Sequence, residues 1–343
     1  MGDAVDVVAV VGACGPERRR YAQRLAQVTN KTFFPASRLS GSADPGQQAV
    51  ALASWSDSTA GVVVELPEEV VTTELIGAFA APEERARLTG LVCVVDATHV
   101  LDDLHRDGYV PLRHTDSETT APVTARALLT VTQIEYASAI VFVGWEMLGP
   151  VELATIMALV SHLSPFARLR LNRQAMEPVH AAGRYTSEQS RPGWASVLNG
   201  NFAPHMIDGR VSAFRYEQVR PLHPGRLMAV LDRIEDGEFG VLVRSAGFCR
   251  LATRPHITAQ WDHVGQMFSL NPLAADDRLA DGEELLAVGQ DLAFIGLRVD
   301  ADRLTAALDG AALTDEELTT GPTAWMGFAD PFPDWQIATD RAD

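Results

Sequence analysis

The sequence predicts an α/β protein, a doubly wound parallel sheet followed by a smaller α+β domain, and three observations carry that prediction. Apolar runs without polar alternation recur at Val5 to Val11, Gly61 to Leu66, Leu91 to Val95 and Ala139 to Val143, as strands buried on both faces require. Between these runs lie stretches with helical spacing. Past about Leu171 the alternation stops, and after a segment rich in Arg, Ser, Gly, Pro and Asn a second texture begins. The boundaries that follow are a first domain over 1–171, a linker over 172–209, a second domain over 210–336 and a tail over 337–343.

Taken in order, Val5 to Val11 reads as the first strand and Gly12 to Pro16 as a turn. The next residues, with Ala22, Leu25 and Ala26 on one side, read as a helix. The runs GVVVEL, LVCVV and AIVFV are further buried strands. From Glu152 to His162, Leu153, Ile156, Met157 and Val160 stand at i, i+3, i+4 and i+7, the spacing of one helix face. The long apolar stretch from Ala139 to Leu163 is broken by Glu146, Gly149, Pro150 and Glu152, so it reads as strand, turn and helix rather than a membrane span. In the second domain Arg210 to Val219 reads as a strand. Pro224, directly after His223, opens a helix at the position proline favours, with Leu227, Val230, Leu231 and Ile234 on one face. Strands are expected at Phe239 to Arg244, Phe248 to Thr253, Gln266 to Leu270 and Asp291 to Val299, and a closing helix near Ala301 to Leu308. No basic segment precedes the first apolar run, so the expectation is a cytoplasmic protein without a secretory signal.

Composition narrows the chemistry. The chain has 343 residues, 28 of them basic and 45 acidic, for a net charge of −17. Lys31 is the one lysine; every other basic residue is arginine. A Schiff-base enzyme or a lysine-dependent phosphate loop must therefore use Lys31 or be absent. The acid excess argues against nucleic acid and anionic membranes as direct partners, because clustered positive charge drives those contacts. Cys14, Cys93 and Cys249 are far apart in sequence, a spacing that supports neither a disulfide framework nor a zinc cluster.

Several ordered blocks resemble the CobW-like family, P-loop GTPases that serve as metal chaperones. In the second half these are VSAFRYEQVRPLHPGRLMAVL, GVLVRSAGFCRLATRP, Trp261, QDLAFIGLRVD, LTDEEL and DPFPDW; in the first half, LTGLVCVVDATHVLDDL and QIEYASAIVFV. The resemblance implies a sheet of P-loop GTPase type over 1–171, a CobW C-terminal domain over 210–336, and a link to metal, by family zinc. An arginine-only composition suits a high-GC, actinobacterial genome.

The family's GTPase motifs are exchanged. A P-loop needs G-x-x-x-x-G-K-[ST], because glycine lets the backbone wrap phosphates, lysine neutralises them and the hydroxyl holds magnesium. Gly12 and Gly15 are in place, but Glu17 stands at the second motif glycine, Arg18 at the lysine and Arg19 at the hydroxyl. A carboxylate placed 4 Å from a phosphate charge costs about 4 kcal/mol at an effective dielectric of about 20. Pro16 removes an amide from the cradle. The family's Glu-x-Ser-Gly corresponds to Glu65-Leu66-Pro67-Glu68, so only Glu65 remains. Where Asn-Lys-x-Asp reads guanine, Gly144-Trp145-Glu146-Met147 stands, and a thioether cannot accept two guanine N–H bonds. Ser37 to Trp55, where the family's Cys-x-Cys-Cys metal site belongs, has no cysteine or histidine.

Among the residues left, Arg18, Arg19 and Arg20 read as a solvated helix start or, functionally, as an acidic-partner contact. Asp96 reads as a cap on the following turn. Cys249, His256 and His263 are the metal candidates, usable only if strand register brought them together; otherwise no metal is expected. Trp325, Phe328, Phe332 and Trp335 form an aromatic tail that packs back on its domain or, with Trp261, anchors a partner. The favoured reading is a catalytically degenerate CobW-like protein, a pseudo-GTPase without catalytic residues or cofactor that binds a protein client in zinc homeostasis. Two alternatives stay open: an active zinc metallochaperone using GTP and magnesium, and a ribosome-associated factor of the low-zinc response working through ribosomal proteins.

Overall fold

The computed structural model describes residues 4–81, 85–111, 123–173, 184–186, 191–275 and 289–335. The tail expected over 337–343 lies outside the described residues. The chain divides into two compact units, Met1–Gly193 with Ala203–Asp208, and Trp194–Phe202 with Gly209–Asp343.

In the first unit β1 (Val5–Val11) leads into α1 (Gly15–Thr29), β2 (Thr32–Phe34), α2 (Pro45–Ser54), β3 (Val62–Glu65), α3 (Thr72–Ala80) and β4 (Ala86–Asp96). Next come α4 (Val100–Leu104), a hairpin of β5 (Tyr109–Pro111) and β6 (Val123–Ala125), α5 (Arg126–Glu135), β7 (Ala139–Val143), α6 (Pro150–Leu163) and β8 (Arg168–Leu171). Six strands form one sheet in the order β2-β3-β1-β4-β7-β8, and every pairing in it is parallel. Parallel pairing needs helical crossovers that cover the sheet, which is why Val7 to Val11 and Val62 to Val64 carry no polar alternation and are buried. The helix face predicted around Ala22, Leu25 and Ala26 packs with Tyr21 onto Val10, Val63, Val92 and Val141. This is the expected P-loop-type α/β arrangement, with strand, loop and helix at the middle of the sheet. Part of the stretch read as a linker joins this unit's core: Tyr185 is fully buried, its N–H donates to the Leu88 carbonyl at 3.0 Å, and its hydroxyl donates to the Tyr136 carbonyl at 2.8 Å.

A short helix α7 (Gly193–Leu198) precedes β9 (Val211–Gln218), α8 (Pro224–Glu235), β10 (Val241–Cys249), β11 (Ile257–Val264), β12 (Met267–Ala275), β13 (Gln290–Leu297), α9 (Ala301–Ala311), α10 (Asp315–Thr320) and α11 (Pro322–Trp325). The second unit is an antiparallel sheet in the order β12-β11-β10-β13-β9, with Leu227, Val230 and Ile234 of α8 and Leu304 and Leu308 of α9 in one core with Trp261, Leu292 and Phe294. The two strands expected at Phe239 to Arg244 and Phe248 to Thr253 are a single strand, β10. Gly247, which looks like a break, is instead a close approach: at φ 147° a Cβ there would sit 2.1 Å from the Asp291 carbonyl oxygen of β13. β11 was not expected, because Gln260, Asp262 and His263 interrupt its apolar content. Among the described residues no helix is long and apolar enough to cross a membrane.

Candidate functional site

In open parallel sheets, ligands bind outside the carboxyl ends of the strands where the strand order reverses. Here the chain leaves β1 for β2 and β3 on one side and continues to β4 and β7 on the other, so that point is the loop from Gly12 to Gly15. Gly12 is required by geometry: at φ 139° a Cβ would stand 2.2 Å from the Val94 carbonyl oxygen. The loop of a phosphate cradle is thus retained, and α1 follows it with no side-chain cap on its first amides.

The charged groups around the loop contact one another. Arg18 is only 6% exposed, and its Nη1 donates to the Gly12 carbonyl. Its Nε lies 3.6 Å from Oε1 of Glu65, which is 3% exposed, and the other Glu65 oxygen accepts the Ala36 N–H at 3.1 Å. The cation at the motif's lysine position is therefore held inside the protein by the loop carbonyl and by the one retained acid of the second signature. Glu17 pairs with Arg20 one turn along α1, and Arg19 is exposed with no hydroxyl to offer a magnesium ion. An open groove lined by Gly15, Pro16, Arg18, Arg19, Arg20 and Glu65 remains. That groove holds one carboxylate, Glu65, beside three arginines, and Pro16 offers no amide to a phosphate.

The base-reading end is altered too. Gly144 turns the chain at φ 67° close against the Asp96 carboxylate, and Trp145–Met147 makes one tight helical turn that leaves Met147 82% exposed. Trp145 is tied down by its indole N–H, which donates to the Asn172 carbonyl at 3.2 Å. Asp96 accepts the Thr98 N–H at 2.9 Å and the Thr98 hydroxyl at 2.6 Å, the turn-capping role expected of it. Cys14 donates to the Val94 carbonyl at 3.3 Å; burial, with Glu17 and Asp96 nearby, pushes its thiol up to about 12. Burial raises Cys93 as well, so neither thiol is a nucleophile at neutral pH. Lys31 lies past the far end of α1, a helix of 15 residues and so about 22 Å long, where its Nζ donates to the Ala60 carbonyl. It serves neither motif.

Elsewhere the structure separates what the sequence grouped. Trp261, offered as a partner anchor, is wholly buried; its indole donates to Ser245 at 2.8 Å and its ring meets Phe268 edge-on at 4.8 Å. Trp325 is packed with Ala252 and Leu313 and donates to the Glu317 carbonyl at 2.6 Å. Trp335 lies under the Arg254 guanidinium at 4.2 Å and donates to the Leu270 carbonyl. All three are structural, and so is Arg18; of the arginine triplet, Arg19 and Arg20 stay at the surface. Of the metal candidates, Cys249 faces Ala259 across the β10–β11 ladder while His263 faces Ser245, four residues or roughly 14 Å along. His256 is exposed ahead of β11. The three do not converge, and among the described residues no group of three or more His, Cys, Asp or Glu is placed to hold a metal ion. His223, by contrast, is the helix start expected: Nδ1 accepts the N–H groups of Gly225 at 3.1 Å and Arg226 at 3.4 Å. Sequence reasoning missed the Arg18–Glu65 pairing, although the survival of one acid beside a new arginine was the available signal.

Residues 211–312 match the family model of the cobalamin synthesis protein CobW C-terminal domain. The chain is 26% identical over 299 residues to a zinc-regulated GTPase metalloprotein activator of Dictyostelium discoideum, covering 80% of this chain and 62% of that protein. It is 28% identical over 281 residues to a zinc chaperone of Mycobacterium tuberculosis, covering 73% of this chain and 62% of that protein. The chain thus spans 62% of the length of these curated relatives. A solved structure of a Zn(II)-bound YjiA GTPase from E. coli is 13% identical with a TM-score of 0.35, covering 91% of this chain and 100% of that one.

Proposed function

We propose that this chain, whose residues 211–312 match the CobW C-terminal domain model, is a CobW-like pseudo-GTPase acting as a protein-binding adaptor in zinc homeostasis. The observation that carries this reading is the inward pairing of Arg18, whose Nη1 donates to the Gly12 carbonyl and whose Nε lies 3.6 Å from Glu65 without a hydrogen bond. A cation already held by a buried carboxylate would have to break that pair to meet a phosphate, and breaking a buried pair costs about 3–5 kcal/mol. Zinc enters through the names of the relatives, and the client is a protein because the acidic chain disfavours nucleic acid and membrane surfaces.

Equilibrium dialysis of the full chain against millimolar GTP with magnesium tests it: no saturable binding is expected. Stoichiometric binding would overturn the reading in favour of a GTP-dependent zinc metallochaperone, which the GTPase in one relative's name and the retained Gly12 turn support.

A further inference from the structure

The first unit has a second concavity that shares no lining residue with the groove at Arg18–Arg20. A cleft of about 590 Å³ opens between the segment entering α2, the loop after β3, the start of α3 and strand β5. That volume lies within the range of roughly 300–1,000 Å³ typical of ligand pockets. Pro45, Pro67 and Pro111 line it beside Ser40 and Ser42, with Val70, Leu75 and Val110 buried behind them. Its rim is acidic. Glu69 and Glu74 are exposed on residues that line the cleft, and neither forms an ion pair among the described residues.

The other charges there are already used. Asp44 accepts the Gln47 N–H at 2.9 Å and so covers the positive end of α2. Arg126 is held at 3.0 Å by Glu68, which also lies 3.4 Å from Arg106. Among the described residues, what the cleft offers an occupant is therefore a proline-lined floor with negative charge on its rim that no ion pair neutralises. A small polyamine would satisfy the rim and leave the floor facing water; two exposed carboxylates without a third donor do not make a metal site.

We infer that this cleft takes an extended basic segment of a client protein, its aliphatic or proline side chains on the floor and its arginine or lysine groups against Glu69 and Glu74. The inference rests on the adaptor reading and names the partner's chemistry. The net charge of −17 steers a positive segment toward the chain, an attraction that salt weakens.

Fluorescence anisotropy of the full chain with a short labelled peptide of Arg, Leu and Pro tests this. Saturable binding that weakens with salt is expected, with no binding of the same peptide carrying Glu for Arg. Charge reversal by Glu69→Lys with Glu74→Lys should weaken binding at least about tenfold, since close interfacial charge pairs couple by about 1.5 kcal/mol or more. Glu69→Gln with Glu74→Gln, which disturbs the fold less, should weaken it in the same direction, while Asp302→Lys on α9 should leave it unchanged. Equal binding of the acidic peptide, or unchanged affinity in both double variants, overturns the proposal. The two readings fail separately. GTP binding removes the adaptor reading and leaves the peptide result standing; a client that co-purifies equally with wild type and the double variants, in a chain that binds no GTP, leaves the adaptor and removes the cleft.

Discussion

Arg18 stands where a phosphate loop carries lysine, yet its guanidinium points inward to the Gly12 carbonyl and Glu65. Removing it should expose how much the unit depends on the pair. Arg18→Met leaves Glu65 buried without its cation and should lower stability by about 3–5 kcal/mol, read as a lower urea midpoint of the first unit. Adding Glu65→Gln should recover most of that loss, because the neutral amide needs no counter-charge and can still accept the Ala36 N–H. If Arg18→Met is neutral, the pair is incidental and the reading of the loop weakens. At this scale the exchanges are legible in the sequence: Glu17, Arg19 and Met147 each stand where the family resemblance implies another chemical group. The compensation is not, because Glu65 and Ala36 come to Arg18 only through the parallel pairing of β1 with β3 and β2 with β3.

The second unit's helix starts depend on protonation. His223 caps α8 through an unprotonated Nδ1, and burial together with Arg226 holds the imidazole below its usual value. α10 begins with a capping box in which Thr314 and Glu317 each bind the other's backbone N–H, and Arg226 bonds both carboxylate oxygens of Glu317, at 2.8 and 2.7 Å. That contact, with the Thr314 amide, holds Glu317 down at about 2. Both groups have folded values below their unfolded ones, so both stabilise the fold at higher pH and stop doing so on acidification. The His223 contribution should fade below about pH 6.5, and that of Glu317 between about pH 4.5 and 2. His223→Ala should cost about 1 kcal/mol at pH 7.5 and flatten the first part of the stability curve; Glu317→Gln should flatten only the acid part. A curve for His223→Ala that stays parallel to wild type would contradict the cap. Among the elements, Val5–Val11 and Ala139–Val143 match the sequence reading residue for residue, because buried parallel strands announce themselves as unbroken apolar runs. β2, with three residues, is too short to carry such a signal, and β11 hides behind Gln260 and Asp262.

For the molecule as a whole, the two-part architecture was readable from the change in texture near Leu171, but the residues between the parts were not. Tyr185 sits in a Gly- and Ser-rich stretch that looks like a tether, and only the structure shows it buried against Leu88 and Tyr136. The cleft at Glu69 and Glu74 was equally invisible, since its walls come from α2, α3 and β5, which are brought together only by the fold. Lys31 has a consequence of another kind. As the sole side-chain amine, held at the α1–β2 turn by the Ala60 carbonyl, it is the one side chain of this sequence whose amine can be acylated. Burial lowers its pKa, so acylation by an amine-reactive ester should begin at lower pH than for a free lysine and give one side-chain adduct, read by peptide mass spectrometry. A molecule attached to a surface through that side chain would hang from the end of α1 opposite the Gly12 loop.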